Sequence, residues 1–224
     1  MSGISIPDPR LIPVIGVDRH LPKVPMESMT PDALRQRFAV APDWTPEILA
    51  ELSFSDRSPV AASVLIGLVM REELTVLLTQ RTDHLSSHSG QVAFPGGKMD
   101  PEDRDVAATA LREAYEEVGL DPDSVDVLGV LPIYTTGSAF LVSPVVALLR
   151  PDMLLRANAN EVASIFEVPL SFLMNPANHR RHAYERNGVQ REWLSMPYIE
   201  GSQERFIWGA TAGMLRNLYR FLVA

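Results

Sequence analysis

One stretch near the middle of the chain narrows the folds open to it more than any other. An apolar run ends at Phe94, the turn Pro95-Gly96-Gly97 follows it, and a segment with helical periodicity then continues to Gly119. The two glycines let the backbone approach a ligand closely. Small and aliphatic residues recur on one side of the helical segment, at Ala107, Leu111, Ala114 and Val118. The pattern predicts a strand, a glycine turn and a helix whose apolar stripe packs on a sheet.

The ends of this helix carry signals of their own. Asp100 followed by Pro101 is typical of a cap and a first helical residue, and Asp103 lies three residues after that cap. Gly119 supplies the left-handed residue that ends many helices, and Leu120 follows it as a hydrophobic contact. The sequence therefore predicts a helix that begins after Asp100 and ends at Gly119.

Three carboxylates lie on one face of the predicted helix. Glu113, Glu116 and Glu117 are spaced at i, i+3 and i+4, which brings their side chains together. Like charges at this spacing repel one another, so the arrangement does not stabilise a helix by itself. A hard divalent cation such as Mg²⁺ turns the repulsion into coordination, because it prefers oxygen ligands. A solvated acidic face is the alternative interpretation of a glutamate cluster.

The run REAYEEVGL, which begins at Arg112, resembles the signature of the Nudix hydrolases. The first half of that signature is less well matched. Gly97 lies one residue farther from Arg112 than in the signature, and Arg104 stands where an early glutamate belongs; Asp103 and Asp105 both stay open for that role. The resemblance implies an α/β fold, a Nudix-like α/β/α sandwich with a mixed sheet, here preceded by an N-terminal extension.

A second segment is similar to the coenzyme A pyrophosphatase branch of that family. Residues 77–82 (LLTQRT) and 88–97 (HSGQVAFPGG) look like the segment that precedes the signature in this branch. The branch has an arginine where this chain has Ser86, which bears on coenzyme A specificity. Basic residues near Ser86 are candidates to replace that arginine: His84, His88 and Lys98. The resemblance implies three substrate-binding residues: Arg81, His88 and Lys98.

The resemblance also implies a hydrolase that depends on Mg²⁺ or Mn²⁺. Glu113 and Glu117, one helical turn apart, are the predicted principal metal ligands. Glu116 is predicted as a third ligand or as a bridge to a second ion, and a backbone carbonyl near Gly97 as a further ligand. Arg112 is predicted to orient the glutamates through ion pairs.

Hydrolysis also needs a carboxylate that takes a proton from the attacking water. Nudix enzymes use either a glutamate of the signature or an acidic residue from a later loop. The sequence leaves both open, with Glu113 and Glu116 on the helix and Glu161 as the later residue. An ordinary loop carboxylate is the alternative interpretation of Glu161.

Composition limits the partners of the chain. Its 28 acidic and 20 basic residues give a formal charge of −8, which argues against broad nucleic-acid binding. It contains no cysteine, and neither a secretory signal nor an apolar run of membrane-spanning length is visible. We expect a cytoplasmic protein that acts on a small molecule, without nucleic-acid or membrane partners.

The pattern divides the chain into an extension, residues 1–57, and a catalytic domain, residues 58–224. Within the extension, Thr30-Pro31 predicts a short helix through Phe38, and Thr45-Pro46 predicts a second one. We expect the extension to pack on the domain or on a partner subunit, so a homodimer is open; disorder is the alternative for the first 25 residues.

Several further elements are expected in the catalytic domain. A basic cluster at residues 179–182 is predicted at a strand edge, where it either meets a substrate phosphate or deters edge pairing. The turn Asn187-Gly188 predicts a hairpin. The expected strands are 60–70, 74–79, 125–131, 141–149, 180–186, 190–195 and 206–208, and the expected helices are 169–173 and 209–223.

Three functions are consistent with these features. The first is hydrolysis of coenzyme A or acyl-coenzyme A to (acyl-)4′-phosphopantetheine and adenosine 3′,5′-bisphosphate, as the resemblance implies. The second is hydrolysis of another nucleoside diphosphate derivative such as ADP-ribose. The third is a ligand sensor on the same fold without catalysis, which the intact set of signature glutamates disfavours.

Overall fold

A computed structural model describes residues 8–53, 58–83, 89–186 and 188–224. Within these ranges the chain forms twelve strands and four α-helices. The strands are β1 (Val14–Val17), β2 (Val60–Val69), β3 (Thr75–Arg81), β4 (Val92–Ala93), β5 (Gly96–Lys98), β6 (Val125–Val130), β7 (Tyr134–Thr135), β8 (Phe140–Leu149), β9 (Val162–Pro169), β10 (Arg180–Arg186), β11 (Val189–Glu200) and β12 (Gln203–Trp208). The helices are α1 (Pro31–Ala39), α2 (Val106–Val118), α3 (Leu170–Leu173) and α4 (Gly209–Val223).

The larger sheet is mixed and is organised around β2. Strand β2 runs parallel to β8 over its whole length. On its other side, the first part of β2 pairs with β5 and its last residues pair with β3, both antiparallel. Strand β3 continues to β4 and β9. Because β3 and β5 occupy different parts of the same edge, the glycine turn that contains β5 lies where the sheet divides.

Both faces of this sheet are covered, which explains the almost continuous apolar run of β2. Leu65 and Val69 pack with helix α2, whereas Ile66 and Leu68 belong to the core on the other face, together with Leu218 of α4. The predicted α/β class with a mixed sheet between helices is therefore confirmed.

A smaller antiparallel sheet has the order β1-β10-β11-β12. The predicted hairpin is confirmed, with β10 paired to β11 from Arg180↔Ser195 to Arg186↔Val189. Asn187 lies outside the described residues, and Gly188 has φ +72°. The sequence did not predict β1, which comes from the extension and pairs with β10.

The extension contains one of the two helices predicted for it. Helix α1 is confirmed, and the Thr30 hydroxyl caps it by accepting a hydrogen bond from the Ala33 N–H. The helix predicted at Thr45-Pro46 is wrong. The Asn217 side chain on α4 accepts hydrogen bonds from the N–H groups of Glu47 and Ile48, at 3.0 and 3.1 Å, and holds this segment in a non-helical course. The division of the chain at residue 57 stays a prediction.

Helix α2 begins later than predicted. Its cap is Asp105, whose carboxylate accepts a hydrogen bond from the Ala108 N–H at 2.8 Å. Asp100 does not cap it, because Asp100 and Asp103 bond to each other in a preceding turn. The predicted end is confirmed, with Gly119 in the left-handed region at φ +68°. No helix in the described ranges is long and apolar enough to cross a membrane.

Candidate active site

The glycine turn lies directly against helix α2. Strand β5 pairs with β2 through Gly96↔Val64 and Gly97↔Ser63. A side chain at Gly97 would overlap the carboxylate of Glu113, and the Gly96 N–H donates a hydrogen bond to Oε2 of Glu117 at 3.1 Å. Gly97 is therefore required by the Glu113 carboxylate of the helix, whereas Gly96 is required by β2, because a side chain there would overlap the Ser63 carbonyl and Val64.

Glu117 is the most buried of the three signature glutamates. Its side chain is 4% exposed, although a solvated acidic face would leave it in water. Burial raises the pKa of Glu117 to about 7, and the Glu161 and Glu113 carboxylates raise it as well. The Gly96 N–H and the Arg81 guanidinium act in the opposite direction. A buried carboxylate among other carboxylates is electrostatically unfavourable, and a bound cation would relieve this repulsion.

Glu113 lies in a related environment. Its side chain is 17% exposed, and Arg112 Nη1 donates to its Oε1 at 3.0 Å. Burial raises the pKa of Glu113, Arg112 lowers it, and the carboxylates of Glu116 and Glu161 raise it further. The structure therefore brings Glu161 into electrostatic range of both Glu113 and Glu117, although it lies on the chain more than forty residues after them.

Burial on α2 is not limited to the predicted apolar stripe, because one of the three glutamates is buried as well. Glu117 is buried together with Ala114 and Val118 on the side of α2 that packs on the sheet. Glu116 is different, because its side chain is 54% exposed and lies 3.3 Å from Arg112. The three glutamates share a helix face but not an environment, since the glycine turn covers one edge of that face.

Arg112 holds the glutamates in place from the solvent side. It contacts Glu113 and Glu116 through Nη1 and donates to the Lys98 carbonyl through Nη2. Its Nε and Nη2 also donate to the two oxygens of Asp103, at 3.0 and 2.9 Å. Hydrogen bonds from Arg112 keep the pKa of Asp103 far below its usual range. Of the two residues left open for the early acidic position, Asp103 faces the site through Arg112, whereas Asp105 caps the helix.

The three predicted substrate-binding residues differ in how close the structure places them to the glutamates. Arg81, at the end of β3, has Nη1 3.3 Å from Oε1 of Glu117 and therefore lies in the site. Lys98 is exposed beside the turn, and its carbonyl is bonded to Arg112. His88 and the departure at Ser86 lie outside the described residues, as does His84.

Three of the four residues in the basic cluster at 179–182 are engaged in contacts within the fold and are not free to bind a phosphate. His179 and His182 are buried, and His182 bonds to the Ile12 carbonyl and to the Ser195 hydroxyl. Arg181 is paired with Asp18 and Glu47 of the extension. The alternative prediction, that the cluster deters pairing at the edge of the sheet, is wrong, because β1 pairs with β10 at these residues.

The residues present suit a divalent cation in their chemistry. Glu113, Glu117 and Glu161 are mutually repelling carboxylates, and a divalent cation prefers oxygen ligands of this kind. The absence of a side chain at Gly97 lets the Glu113 carboxylate lie directly against the turn. In the part of the chain that the structure describes, no three acidic or histidine side chains converge closely enough to hold an ion as they stand. Binding would therefore need small side-chain movements, which exposed Glu116 and partly exposed Arg81 permit.

The fold and this site define a class of domain in which a glycine turn packs against a helix that carries several glutamates. A family model described as NUDIX domain matches residues 59–186, and the chain belongs to the Nudix family. It is an enzyme of the Nudix hydrolase class, whose members act on nucleoside diphosphate derivatives and generally use divalent metal ions.

Among its relatives is a protein called uncharacterized Nudix hydrolase NudL. In Escherichia coli O1:K1 / APEC it is 44% identical over 158 residues, which are 70% of this chain and 80% of the relative. The protein of the same name from Shigella boydii serotype 18 gives the same identity and the same coverage.

Solved structures are more distant. An Ap4A hydrolase binary complex from C. elegans matches with a TM-score of 0.43 and 21% identity, over 53% of this chain and 85% of that one. The NUDIX domain of Shewanella oneidensis NrtR, complexed with ADP ribose, matches with a TM-score of 0.40 and 19% identity, over 51% and 75% of the two chains.

Proposed function

We propose that this enzyme hydrolyses the pyrophosphate bond of coenzyme A or acyl-coenzyme A with Mg²⁺ or Mn²⁺. The products would be 4′-phosphopantetheine or its acyl form, and adenosine 3′,5′-bisphosphate. The observation that carries the proposal is the contact between two segments of the sequence. Arg81, from the segment similar to the coenzyme A branch, lies 3.3 Å from Glu117 of the Nudix signature.

Glu113 and Glu117 would hold the metal, with Glu116 as a third ligand and a carbonyl near Gly97 as a fourth. When bound, the ion would neutralise phosphate charge and favour ionisation of the attacking water. Gly96 fixes Glu117 through its N–H, so that carboxylate is already oriented in the folded chain. Arg112 would orient Glu113 and Glu116 through the ion pairs described above.

Glu161 is our candidate for the base that takes the proton of the attacking water. Its backbone is fixed, because the Glu161 carbonyl accepts a hydrogen bond from the Thr82 N–H at 3.0 Å. Its carboxylate acts electrostatically on Glu113 and Glu117, so it lies beside the predicted metal ligands. Glu113 and Glu116 are the alternative bases on the helix.

Substrate phosphates would contact Arg81, Lys98 and His88. Lys98 is exposed next to the glycine turn, where an ammonium group can reach a bound phosphate. The chain has Ser86 where the branch has an arginine, so its specificity for coenzyme A depends on these other cations. A cytoplasmic location and a homodimeric state stay predictions from the sequence.

Product analysis tests this function. We expect adenosine 3′,5′-bisphosphate from coenzyme A in the presence of Mg²⁺ or Mn²⁺, with ADP-ribose left intact. Turnover of ADP-ribose alone would refute the substrate but keep the site. Glu117→Gln should lower turnover at least about a hundredfold with the fold intact, because it removes a ligand charge at nearly constant volume. Near-normal turnover of that variant at saturating Mg²⁺ would refute the metal assignment.

A further inference from the structure

Counting only the residues that the structure describes, Arg81 is an incompletely bonded cation inside the site. Its Nη1 lies 3.3 Å from Oε1 of Glu117, which is long for a hydrogen bond between charged groups. Its Nε is buried and has no hydrogen-bond partner among the described residues. Buried donors are nearly always bonded, so an unpaired guanidinium N–H next to the reacting groups calls for an explanation.

Other arginines of the same domain show what a structural guanidinium looks like here. Arg112 donates to three carboxylates and a carbonyl through all three nitrogens. Arg205 donates to Glu200, Gln80 and Ser164 and lies over the ring of Phe166. Within the described part of the chain, Arg81 has fewer hydrogen-bond partners than these two arginines, and its contact with Glu117 is long. Those hydrogen bonds therefore do not fix the position of its guanidinium.

The backbone of Arg81 is nevertheless held firmly in the sheet. It ends β3, its N–H donates to the Gln91 carbonyl at 2.9 Å, and it pairs with Val162. Its side chain is 24% exposed, so the guanidinium reaches from a fixed point to the boundary with solvent. It can therefore turn from Glu117 towards a ligand in the site without a change in the fold.

We infer that Arg81 is an exchangeable counter-ion: it neutralises Glu117 until a divalent cation takes that carboxylate, and it then binds a phosphoryl oxygen of the substrate. The inference rests on the proposed role of Glu117 as a metal ligand. A divalent cation at Glu117 repels the guanidinium and removes its partner. A phosphate offers that guanidinium strong acceptors and geometry suited to two parallel N–H donors.

The exchange couples metal binding to phosphate binding. The metal must displace Arg81, and the phosphate gives Arg81 a new partner, so each ligand favours the other. Removal of the guanidinium should therefore have two opposite effects: the metal binds more tightly, and the phosphate binds more weakly when the metal is present. If the guanidinium had only a structural role, its removal would weaken the binding of both the metal and the phosphate.

Mn²⁺ binding to the full chain, followed by the electron paramagnetic resonance signal of free Mn²⁺, tests the first effect. We expect Arg81→Gln to bind Mn²⁺ about tenfold more tightly than the wild type, within the usual range of coupling between sites. Arg81→Lys keeps the charge and should stay within about twofold of the wild type. Arg150→Gln makes the same charge change at an exposed ion pair with Asp152 and should leave the affinity unchanged.

Calorimetric titration with inorganic phosphate tests the second effect. With saturating Mg²⁺, we expect Arg81→Gln to bind phosphate about tenfold more weakly than the wild type, and with EDTA the two should bind alike. Equal or weaker Mn²⁺ binding by Arg81→Gln would overturn the inference, as would an equal loss of phosphate affinity with and without Mg²⁺.

The Glu117→Gln variant separates this inference from the proposed function. Mn²⁺ binding that is lost in Glu117→Gln but unchanged in Arg81→Gln refutes the exchange and leaves the metal assignment standing. Mn²⁺ binding that survives in Glu117→Gln refutes the metal assignment and the exchange with it. Circular dichroism of each variant shows whether its fold is retained, and Arg81→Met replaces Arg81→Gln if the latter does not fold.

Discussion

His179 should make the fold sensitive to mild acid. Its Nδ1 accepts a hydrogen bond from Nη1 of Arg216 at 2.8 Å, and its Nε2 donates to the Leu173 carbonyl at 2.7 Å. Because a guanidinium only donates, Nδ1 carries no proton and the ring is neutral. Burial lowers the pKa of His179 to about 4, and Arg216 lowers it further, whereas the Leu173 carbonyl and two nearby carboxylates oppose the shift.

The sign and size of the effect follow from this pKa. The unfolded chain takes up a proton at His179 near its ordinary pKa of 6.5, whereas the folded chain does so only near pH 4. The stability that neutral His179 contributes is therefore fully present above pH 6.5 and is lost as the pH falls towards 4. At about 1.4 kcal/mol per unit, the loss amounts to about 2.5 kcal/mol by pH 4.5.

The contribution of Glu117 to the free energy of unfolding changes in the opposite direction over the same pH range. Its folded pKa of about 7 lies above the ordinary 4.5, so protonation favours the folded state as the pH falls through this window. The free energy of unfolding of the wild type alone would therefore hide the effect of His179. A comparison with His179→Gln removes this offset, because Glu117 titrates in both proteins.

Urea unfolding in EDTA at pH 7.5 and pH 4.5 provides the measurement. We expect the stability advantage of the wild type over His179→Gln to shrink by about 2.5 kcal/mol between the two pH values. Nuclear magnetic resonance of the imidazole should show a neutral ring at pH 5.5. A constant difference between the two proteins, or a ring that titrates near 6.5, would refute the reasoning.

Three further substitutions test other parts of the structure. Gly97→Ala should weaken Mn²⁺ binding at least about tenfold, since its methyl group displaces the Glu113 carboxylate; unchanged Mn²⁺ affinity would mean that Glu113 is not a ligand. Leu34→Ala should lower the free energy of unfolding by about 2–5 kcal/mol in a single urea transition, because Leu34 of the extension is fully buried in the main core; a loss below about 1 kcal/mol would show that this packing contact of the extension contributes little to stability. Asp103→Asn should lower turnover about tenfold by freeing Arg112 from one of its acidic partners, as loss of an outer-shell contact does; turnover equal to that of the wild type would remove Asp103 from the site.

Helix caps and apolar runs predicted the helices and strands well where all the residues that determine an element lie within one short segment. Gly119 ended helix α2 as expected, Thr30 capped α1, and the runs at 60–70 and 141–149 became neighbouring strands of the sheet. The prediction failed at Asp100 and at Thr45-Pro46. Both segments carry good helix-start residues, but Asp103 in one case and Asn217 in the other supply hydrogen bonds that favour a different backbone.

The sequence by itself determined the class of the protein, because the glycine turn and the helical spacing of Glu113, Glu116 and Glu117 are both local patterns. Only the tertiary structure decided how these glutamates differ. Packing of α2 on the sheet buries Glu117 and leaves Glu116 exposed. Pairing of β3 with β9 brings two residues that are far apart in the chain to the site: Arg81, which ends β3, and Glu161, which immediately precedes β9. The burial of each glutamate and its electrostatic interactions with distant residues depend on which segments pack against each other. The spacing of residues along the chain does not contain that information.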